Sequence, residues 1–257
     1  MHIERLPVAV PTRAPSGETA AYCIGQREAL LVDPPAPDDR IEQVLDRVEH
    51  IAVTHHHPDH VGAVSEYARI ADATVWCRYG RADGFEAATG IRPDRTFRDG
   101  TEIPTGRSNV IVRETPGHAP EHVAFDAAGA LVVGDLAVAA GSVVVGAPEG
   151  DMRAYLTSLR RVWAMDPERL SPAHGPVIEK PRKVCERLIN HRRDRERRVL
   201  AAVEDGRRTV ASILDAAYEK DLDGVRDLAG QTVRAHLDKL AHEGHIAWDG
   251  AHADPAG

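Results

Sequence analysis

The sequence predicts an α/β domain over residues 1–180, followed by a smaller α+β module over residues 181–250. In the first 180 residues, short apolar runs rich in branched residues alternate with turn signals and with helical stretches, which is typical of a mixed domain. From Arg182 onward, long charged helical patterns replace the short apolar runs. The length of 257 residues fits one large domain with one small addition.

Four short apolar runs predict strands, because each is bounded by polar, Gly or Pro positions. They cover residues 29–32, 51–53, 110–112 and 131–133. Between them, three stretches are predicted to be helices, and apolar residues at helical spacing are clearest in the third. These stretches cover residues 40–48, 61–71 and 152–163. The first 180 residues are therefore expected to form one compact mixed domain.

The C-terminal third predicts three helices and a β-turn. Residues 184–203 form a long charged pattern, residues 209–218 predict a second helix, and an apolar stripe from Val225 to Leu240 predicts a third, which Gly244 ends. A short strand over 245–248 is expected to follow. This order is typical of a winged-helix-like module, and residues 251–257 are expected to form a flexible tail.

The net charge of −8 is unevenly distributed. Residues 180–208 contain eleven Lys/Arg against five Asp/Glu, whereas residues 209–257 contain four against nine. The chain therefore lacks a uniformly basic surface, and the acidic C-terminal module makes duplex DNA an unfavoured partner.

Three further features limit the protein's class. No apolar run is long enough to cross a membrane, and the first five residues lack a signal-peptide pattern, so a cytoplasmic location is expected. The three cysteines lie far apart and are interpreted as inert thiols rather than disulfide partners or metal ligands. A homo-oligomer is compatible with the sequence.

A set of histidines and aspartates has the pattern of a metal site. In the extended segment after residue 53, His55 and His57 point the same way, while the following pair, Asp59 and His60, sits near a helix start. The other members each follow a strand or turn, where a scaffold holds loop residues for chemistry. The full set is His55, His57, Asp59, His60, His118, Asp135 and His174.

The chemistry of this set favours two ions. Imidazole and carboxylate ligands suit Zn²⁺, with Mn²⁺ or Fe²⁺ as substitutes. A single aspartate can supply the anionic bridge that two neighbouring ions need, and zinc lowers the pKa of bound water to about 7. Any one histidine is more often structural than a ligand, but seven such residues in this order favour the metal site.

The same residues resemble the metallo-β-lactamase superfamily. The segment from Thr54 to His60 is similar to its H-x-H-x-D-H signature, and the surroundings of His118, Asp135 and His174 are similar to its later ligand motifs. The resemblance implies an αββα sandwich with the metals at one edge. It also implies a ligand assignment: His55, His57 and His118 for the first ion, Asp59, His60 and His174 for the second, and Asp135 as the bridge.

Segments 152–159, 174–178, 191–196 and 235–240 further resemble the lactamase-like protein 2 branch, which has a C-terminal winged-helix domain and whose best-known member cuts single-stranded RNA. Two stretches depart from the usual pattern: Thr19-Ala20-Ala21 and Asp33-Pro34-Pro35.

The function expected is metal-dependent hydrolysis by a metal-bridging hydroxide. Asp59 is a candidate for orienting that hydroxide or moving its proton, and His122 for supporting a ligand or assisting the leaving group. The first substrate hypothesis is a phosphodiester such as single-stranded RNA. The second is a small thioester or ester, as in glyoxalase II-like enzymes, and a winged-helix nucleic-acid-binding protein without hydrolysis is a further alternative. Substrate-binding residues are not identified.

Overall fold

The computed structural model of the chain describes residues 1–106, 108–219 and 222–256. The chain divides into two compact units, each made of several segments. The first comprises Met1–Thr115, Glu121–Gly141 and Asp166–Pro181; the second comprises Pro116–Pro120, Ser142–Met165 and Arg182–Gly257. The first unit ends at Pro181, close to the predicted boundary at 180–181, but two segments before that boundary belong to the second unit.

A six-stranded sheet forms part of the first unit, with its strands in chain order. The first three strands pair antiparallel, and the last three join in parallel, each next to its predecessor. The strands are β1 (Ile3–Ala9), β2 (Glu18–Ile24), β3 (Ala29–Val32), β4 (Val48–Ala52), β5 (Thr74–Arg78) and β6 (Arg95–Phe97).

A five-stranded sheet completes the β structure of this unit, in the order β11-β10-β9-β8-β7. Its strands pair antiparallel except for β11, which lies parallel to β10. The four predicted strands correspond to β3, β4, β8 and β10 and are confirmed. The strands of this sheet are β7 (Glu102–Thr105), β8 (Ser108–Glu114), β9 (Val123–Ala127), β10 (Ala130–Gly134) and β11 (Arg169–Pro172).

Two apolar clusters account for the layers of the first unit. One joins inward side chains of both sheets, among them Tyr22, Phe97 and Phe125. The other joins the opposite face of the six-stranded sheet to its helices, through residues such as Ile41, Tyr67 and Phe85. Burial of these large side chains is the main stabilising contribution to the packed sheets. The helices are α1 (Asp39–Glu42), α2 (Pro58–Val61), α3 (Val64–Ala71) and α4 (Ala82–Thr89).

Two predicted helices are shorter than the sequence suggests. The prediction over 40–48 is wrong beyond Glu42, because the chain passes through a 3-10 turn at Leu45–Arg47 and Val48 already pairs with Ala29 in the sheet. The prediction over 61–71 is interrupted at Gly62, where a Cβ atom would lie 2.3 Å from the Pro35 carbonyl oxygen. A close approach of two backbones therefore separates α2 from α3.

The second unit is mainly helical. Its core joins apolar residues of the last three helices and the final hairpin, including Val199, Leu214 and Leu237. The helices predicted over 152–163, 184–203 and 209–218, and the third C-terminal helix, are confirmed, and a winged-helix arrangement of the C-terminal elements stays a prediction. The elements are α5 (Met152–Met165), α6 (Pro181–Glu204), α7 (Val210–Ala217), α8 (Arg226–His242), β12 (Ile246–Trp248) and β13 (Ala253–Pro255).

The expected flexible tail is wrong over Ala253–Pro255, because this segment pairs antiparallel with β12. Ala253 is fully buried in the core of the unit, and its amide donates to the Arg208 carbonyl oxygen. Gly257 lies outside the described residues. Among the helices of the described ranges, none combines the length and apolar character needed to span a membrane.

Candidate metal centre

The loop after β4 carries the first histidines of the site. The strand ends in two buried apolar residues, Ile51 and Ala52, and the residues that follow, Thr54 and His55, are buried as well. The Nε2 atom of His55 lies 2.9 Å from the Nδ1 atom of His57. Pro58 then begins α2, so the next two residues, Asp59 and His60, fall in its first turn. The sequence-predicted pairs therefore occupy two successive positions along one short segment.

Asp59, His60 and His174 form a group that could hold one ion. Ligand atoms of the three residues lie within 4.8 Å of one another. His174 follows β11, and its Nδ1 atom donates to the Glu18 carbonyl oxygen at 2.9 Å. Because this bond fixes the proton on Nδ1, Nε2 is left for a ligand, and it lies 3.7 Å from Oδ2 of Asp59.

Asp135 lies between these histidines. It follows β10, and its Oδ1 atom lies 3.2 Å from Nε2 of His174 and 3.7 Å from Nε2 of His60. Together with His55 and His60, Asp135 forms a second group with ligand atoms within 4.8 Å of one another. One carboxylate oxygen thus faces residues of both groups, as a bridging ligand would.

Asp33 is a site residue that the sequence analysis did not assign. It is buried after β3, at φ 52°, and its carboxylate accepts hydrogen bonds from the Thr54 amide at 2.6 Å and the Thr54 hydroxyl at 2.7 Å. The same carboxylate accepts from Nδ1 of His60 at 2.9 Å. Asp33 therefore fixes the ring of His60 with Nε2 directed toward the ligand group. The signals in the sequence were its position directly after a predicted strand and its place in the stretch Asp33-Pro34-Pro35, which departs from the family pattern.

The electrostatics of His60 show why this pocket suits a cation. The ring is completely buried, which by itself would lower the pKa of His60. The carboxylates of Asp33, Asp135 and Asp59 outweigh burial and raise the pKa of His60 to about 9. The pKa of His174 is also raised, because Asp135 and the Glu18 carbonyl outweigh the opposing effect of burial. A metal ion would meet the same negative potential.

The buried Nε2 atom of His60 has no hydrogen-bond partner among the described residues. A buried polar atom without a partner costs stability, so a native structure usually supplies one. A divalent ion bound by this nitrogen and the neighbouring carboxylates would satisfy it. The donor set of imidazole and carboxylate therefore fits Zn²⁺, Mn²⁺ or Fe²⁺.

His122 is buried next to Asp135, and its two predicted roles, supporting a ligand or assisting the leaving group, both stay predictions. The side chain is completely buried, its Nδ1 atom lies 2.9 Å from the Thr115 hydroxyl, and its Nε2 atom accepts from the Asp135 amide at 3.2 Å. Both ring nitrogens are thus engaged inside the protein. Gly134 allows this approach, since a Cβ atom there would lie 2.9 Å from His122 Nε2 and 2.5 Å from the Thr54 hydroxyl.

His118, the remaining predicted ligand, belongs to the second unit. Its Nδ1 atom donates to the Val144 carbonyl oxygen at 2.7 Å, which leaves Nε2 for a ligand. Gly117, beside it, has φ 135°, and a Cβ atom there would lie 2.2 Å from the Tyr155 amide nitrogen. The assignment of His118 to an ion together with His55 and His57 stays a prediction.

The cysteines do not contribute to the site. Cys23, Cys77 and Cys185 are free and buried, as expected for inert thiols. Burial raises the pKa of Cys77 to about 11 and that of Cys185 to about 12, so these thiols stay protonated at neutral pH.

Comparison with protein families gives a match over residues 16–174 to the model described as the metallo-beta-lactamase superfamily. A curated relative is a beta-lactamase-like protein 2 homolog of Drosophila melanogaster, 30% identical over 81% of this chain and 73% of its own. Another is an atrochrysone carboxyl ACP thioesterase of Aspergillus fumigatus, 28% identical over 79% of this chain and 66% of its own.

Solved structures share the fold. A metallo-beta-lactamase family protein of Thermus thermophilus superimposes with a TM-score of 0.79 at 23% identity, covering 98% of both chains. The protein TTHA1623, solved in a di-iron-bound form, gives a TM-score of 0.55 at 26% identity and covers 68% of this chain and 94% of its own.

Proposed function

This chain belongs to the metallo-beta-lactamase superfamily and is a metal-dependent hydrolase, and from this premise we propose that it uses two divalent ions to cleave phosphodiesters such as single-stranded RNA. The observation that carries the dinuclear site is the position of Asp135 Oδ1 between His174 and His60. We assign His55, His57 and His118 to the first ion, Asp59, His60 and His174 to the second, and Asp135 to both.

When bound, two such ions supply a hydroxide near neutral pH and stabilise negative charge on the reacting oxygen. Other residues of the chain orient the side chains that would bind these ions. Asp33 and the Glu18 carbonyl fix the proton of His60 and of His174 on Nδ1, so that each presents Nε2. Asp59, partly exposed beside His174, is the proposed acceptor of a proton from the nucleophile. Zn²⁺ is the ion we expect first, and a di-iron-bound relative supports Fe²⁺ as an alternative.

A basic surface on α6 favours the proposal of a phosphodiester substrate. We call Arg187, His191, Arg195 and Arg198 the α6 basic stripe, since steps of four, four and three residues place them on one helix face. Burial lowers the pKa of His191 to about 4, and the neighbouring arginines act in the same direction, so His191 is neutral at pH 7 and lies among positive charges. The acidic neighbour of Arg198 is Glu219, at 3.8 Å and 85% exposed, so its neutralising effect is screened by solvent.

Guanidinium groups suit phosphates because their planar donors match phosphate oxygens. Arg195 is held in place, since its guanidinium stacks 3.3 Å from the centre of the Tyr218 ring and donates to the Ala217 carbonyl oxygen. The arginines of the stripe therefore combine fixed and partly exposed cations along one line, as binding of a phosphate backbone requires.

Removing two stripe charges tests the substrate class. Arg187→Gln combined with Arg198→Gln is expected to raise KM for single-stranded RNA about tenfold and to reduce its salt dependence, because fewer phosphate counterions are released. Turnover of bis-p-nitrophenyl phosphate, which has a single phosphate and no polymer backbone, is expected to stay unchanged. The matched control, Arg193→Gln with Arg197→Gln, removes two exposed charges of α6 outside the stripe. Equal KM values for both double variants would contradict an RNA-binding role.

A thioester substrate is the second candidate, favoured by the relative named as an ACP thioesterase. Turnover by the metal-loaded wild type on single-stranded RNA, bis-p-nitrophenyl phosphate and S-lactoylglutathione separates the two. We expect cleavage of both phosphodiesters and little thioester turnover. Thioester turnover without phosphodiester cleavage would establish the second candidate, and inactivity on all three would contradict both.

Nucleic-acid binding by the C-terminal module without hydrolysis is not favoured. In a winged helix the third helix would enter the groove of a duplex. Here the Gln231 carbonyl oxygen in the first half of α8 accepts a hydrogen bond from the Ala147 amide, and a Cβ atom on Gly146 would lie 2.9 Å from the Gln231 side chain. This face of α8 is therefore packed inside its own unit.

A further inference from the structure

Two adjacent carbonyl groups of the segment before α5 are held by side chains from distant parts of the sequence. The Val144 carbonyl accepts from Nδ1 of His118 at 2.7 Å. The neighbouring Val143 carbonyl accepts from Nη2 of Arg192, a residue in the middle of α6. The two carbonyls belong to successive planar peptide units that share the Cα atom of Val144, so with both hydrogen bonds made, a displacement of one unit alters the position of the other.

Arg192 also lies beside the residue that packs against the His118 loop. Its guanidinium carbon is 5.6 Å from the centre of the Tyr155 ring, within the range of a cation–π contact. The Tyr155 backbone in turn contacts Gly117 so closely that a Cβ atom on Gly117 would lie 2.2 Å from its nitrogen. Arg192 is therefore connected to His118 from two sides, through Val143–Val144 and through Tyr155.

The burial of Arg192 is costly and calls for a reason. Arg192 is only 3% exposed, and among the described residues no carboxylate lies within 4 Å of its guanidinium group. Its buried Nε atom has no hydrogen-bond partner there either. A buried cation without a counter-ion normally destabilises a fold. Ion pairing therefore does not explain why Arg192 is buried against the Val143 carbonyl.

We propose that Arg192 is a positioning residue for His118. It holds Val143 in place, which sets the Val144 carbonyl to fix the His118 proton on Nδ1, and Nε2 is thereby presented to a metal ion. This inference rests on the proposed function in one respect, since His118 is taken as a ligand of the first ion. Arg192 itself would not contact the ion or the substrate.

Metal binding tests the proposal without recourse to activity. Chelator-competition titration with Zn²⁺ is expected to give two binding constants for the wild type, one of which is lost in His118→Ala. Arg192→Met is expected to weaken that same constant about 10- to 100-fold, the usual effect of losing a partner behind a ligand, and to leave the other unchanged. The control Arg193→Met changes an exposed neighbour on α6 and is expected to bind like the wild type.

A double variant separates positioning from a general loss of stability. In the His118→Ala background, Arg192→Met is expected to cause no further loss of Zn²⁺ affinity, because the group through which it acts is absent. The proposal would be overturned if Arg192→Met lowered Zn²⁺ affinity in the His118→Ala background as much as it does in the wild type. Wild-type affinity in Arg192→Met alone would also overturn it. If the wild type binds no Zn²⁺, or if His118→Ala changes neither constant, the proposed metal site itself fails.

Arg192→Lys provides a second variant in case the methionine variant does not fold. It keeps the charge and the apolar stem but loses the planar donor group. We expect it to fold and to weaken the His118-dependent constant several-fold relative to Arg193→Lys. Identical constants for the two lysine variants would contradict the proposal.

Discussion

Asp135→Ala is expected to lower hydrolytic turnover by more than about 10³-fold, because one carboxylate oxygen is proposed to hold both ions at the distance that hydrolysis needs. Its Oδ1 atom lies within 4 Å of Nε2 of His60 and of His174, and truncation to alanine removes this oxygen from between the two rings. The measurement is kcat/KM on bis-p-nitrophenyl phosphate together with the zinc content of each purified protein. We expect the variant to hold fewer than two ions.

The matched control is Asp126→Ala. Asp126 is a carboxylate of the same sheet with a similarly limited exposure, and it pairs with Arg113 at 3.0 Å. Loss of this ion pair is expected to lower stability modestly and to leave turnover per folded molecule close to wild type. If Asp135→Ala kept a tenth of the wild-type turnover with two ions bound, the bridging role of Asp135 would be wrong.

Metal-free protein is expected to lose stability as the pH rises from about 6.5 toward 9. His60 has a pKa of about 9 in the folded protein against an ordinary value of 6.5, so the folded state retains a proton that the unfolded chain releases. The stabilisation is fully present below pH 6.5 and disappears as the pH passes through the folded value. The raised pKa of His174 acts in the same direction. Each retained proton contributes a slope of at most about 1.4 kcal/mol per pH unit.

Urea unfolding after chelator treatment, between pH 7 and 8.5, measures this slope above the range in which His50, His191 and His236, whose pKa values are lowered, act in the opposite sense. The upper limit avoids the range in which the buried thiols of Cys77 and Cys185 would add a loss of the same sign. His60→Gln cannot bind the proton and is expected to reduce the slope. A stability that is constant or rises across this window in the metal-free wild type would contradict the electrostatic description of the site.

Metal binding is expected to depend on pH in the opposite sense. The ion must displace the proton from His60, so affinity increases with pH until the pH reaches the folded pKa of about 9. The same carboxylates that hold the proton in the metal-free protein attract the ion. Metal-loaded protein should therefore lack the decline in stability seen without metal.

The positions of the candidate ligands in the first unit could be predicted from the sequence because each follows a strand or begins a helix. His55, Asp135 and His174 lie just after β4, β10 and β11, and strand ends are visible as apolar runs followed by polar residues. Parallel pairing of β10 with β11 then brings Asp135 and His174 to the same sheet edge. Local pattern and sheet geometry together determine this part of the site.

The supporting residues could not be predicted in this way, since their roles depend on contacts across the fold. The role of His122 follows from its contact with the Asp135 amide, thirteen residues away, and that of Asp33 from its contact with His60, twenty-seven residues away. Arg192 lies in a charged helical segment in which the sequence pattern does not distinguish buried from exposed arginines. Only the structure shows that Arg192 is buried whereas Arg193 is exposed.

The parallel edge strand β11 has a consequence for how the chain is made. During synthesis the residues up to Gly134 emerge before Arg169–Pro172, so β10 presents an unpaired strand edge until β11 has been added. His55 and His174 are likewise separated by more than a hundred residues, and contacts of such long range form slowly. A nascent chain interrupted before β11 would therefore expose an unpaired strand edge and lack His174, a proposed ligand of the second ion, so both its solubility and its metal binding depend on the segment Asp166–Pro181.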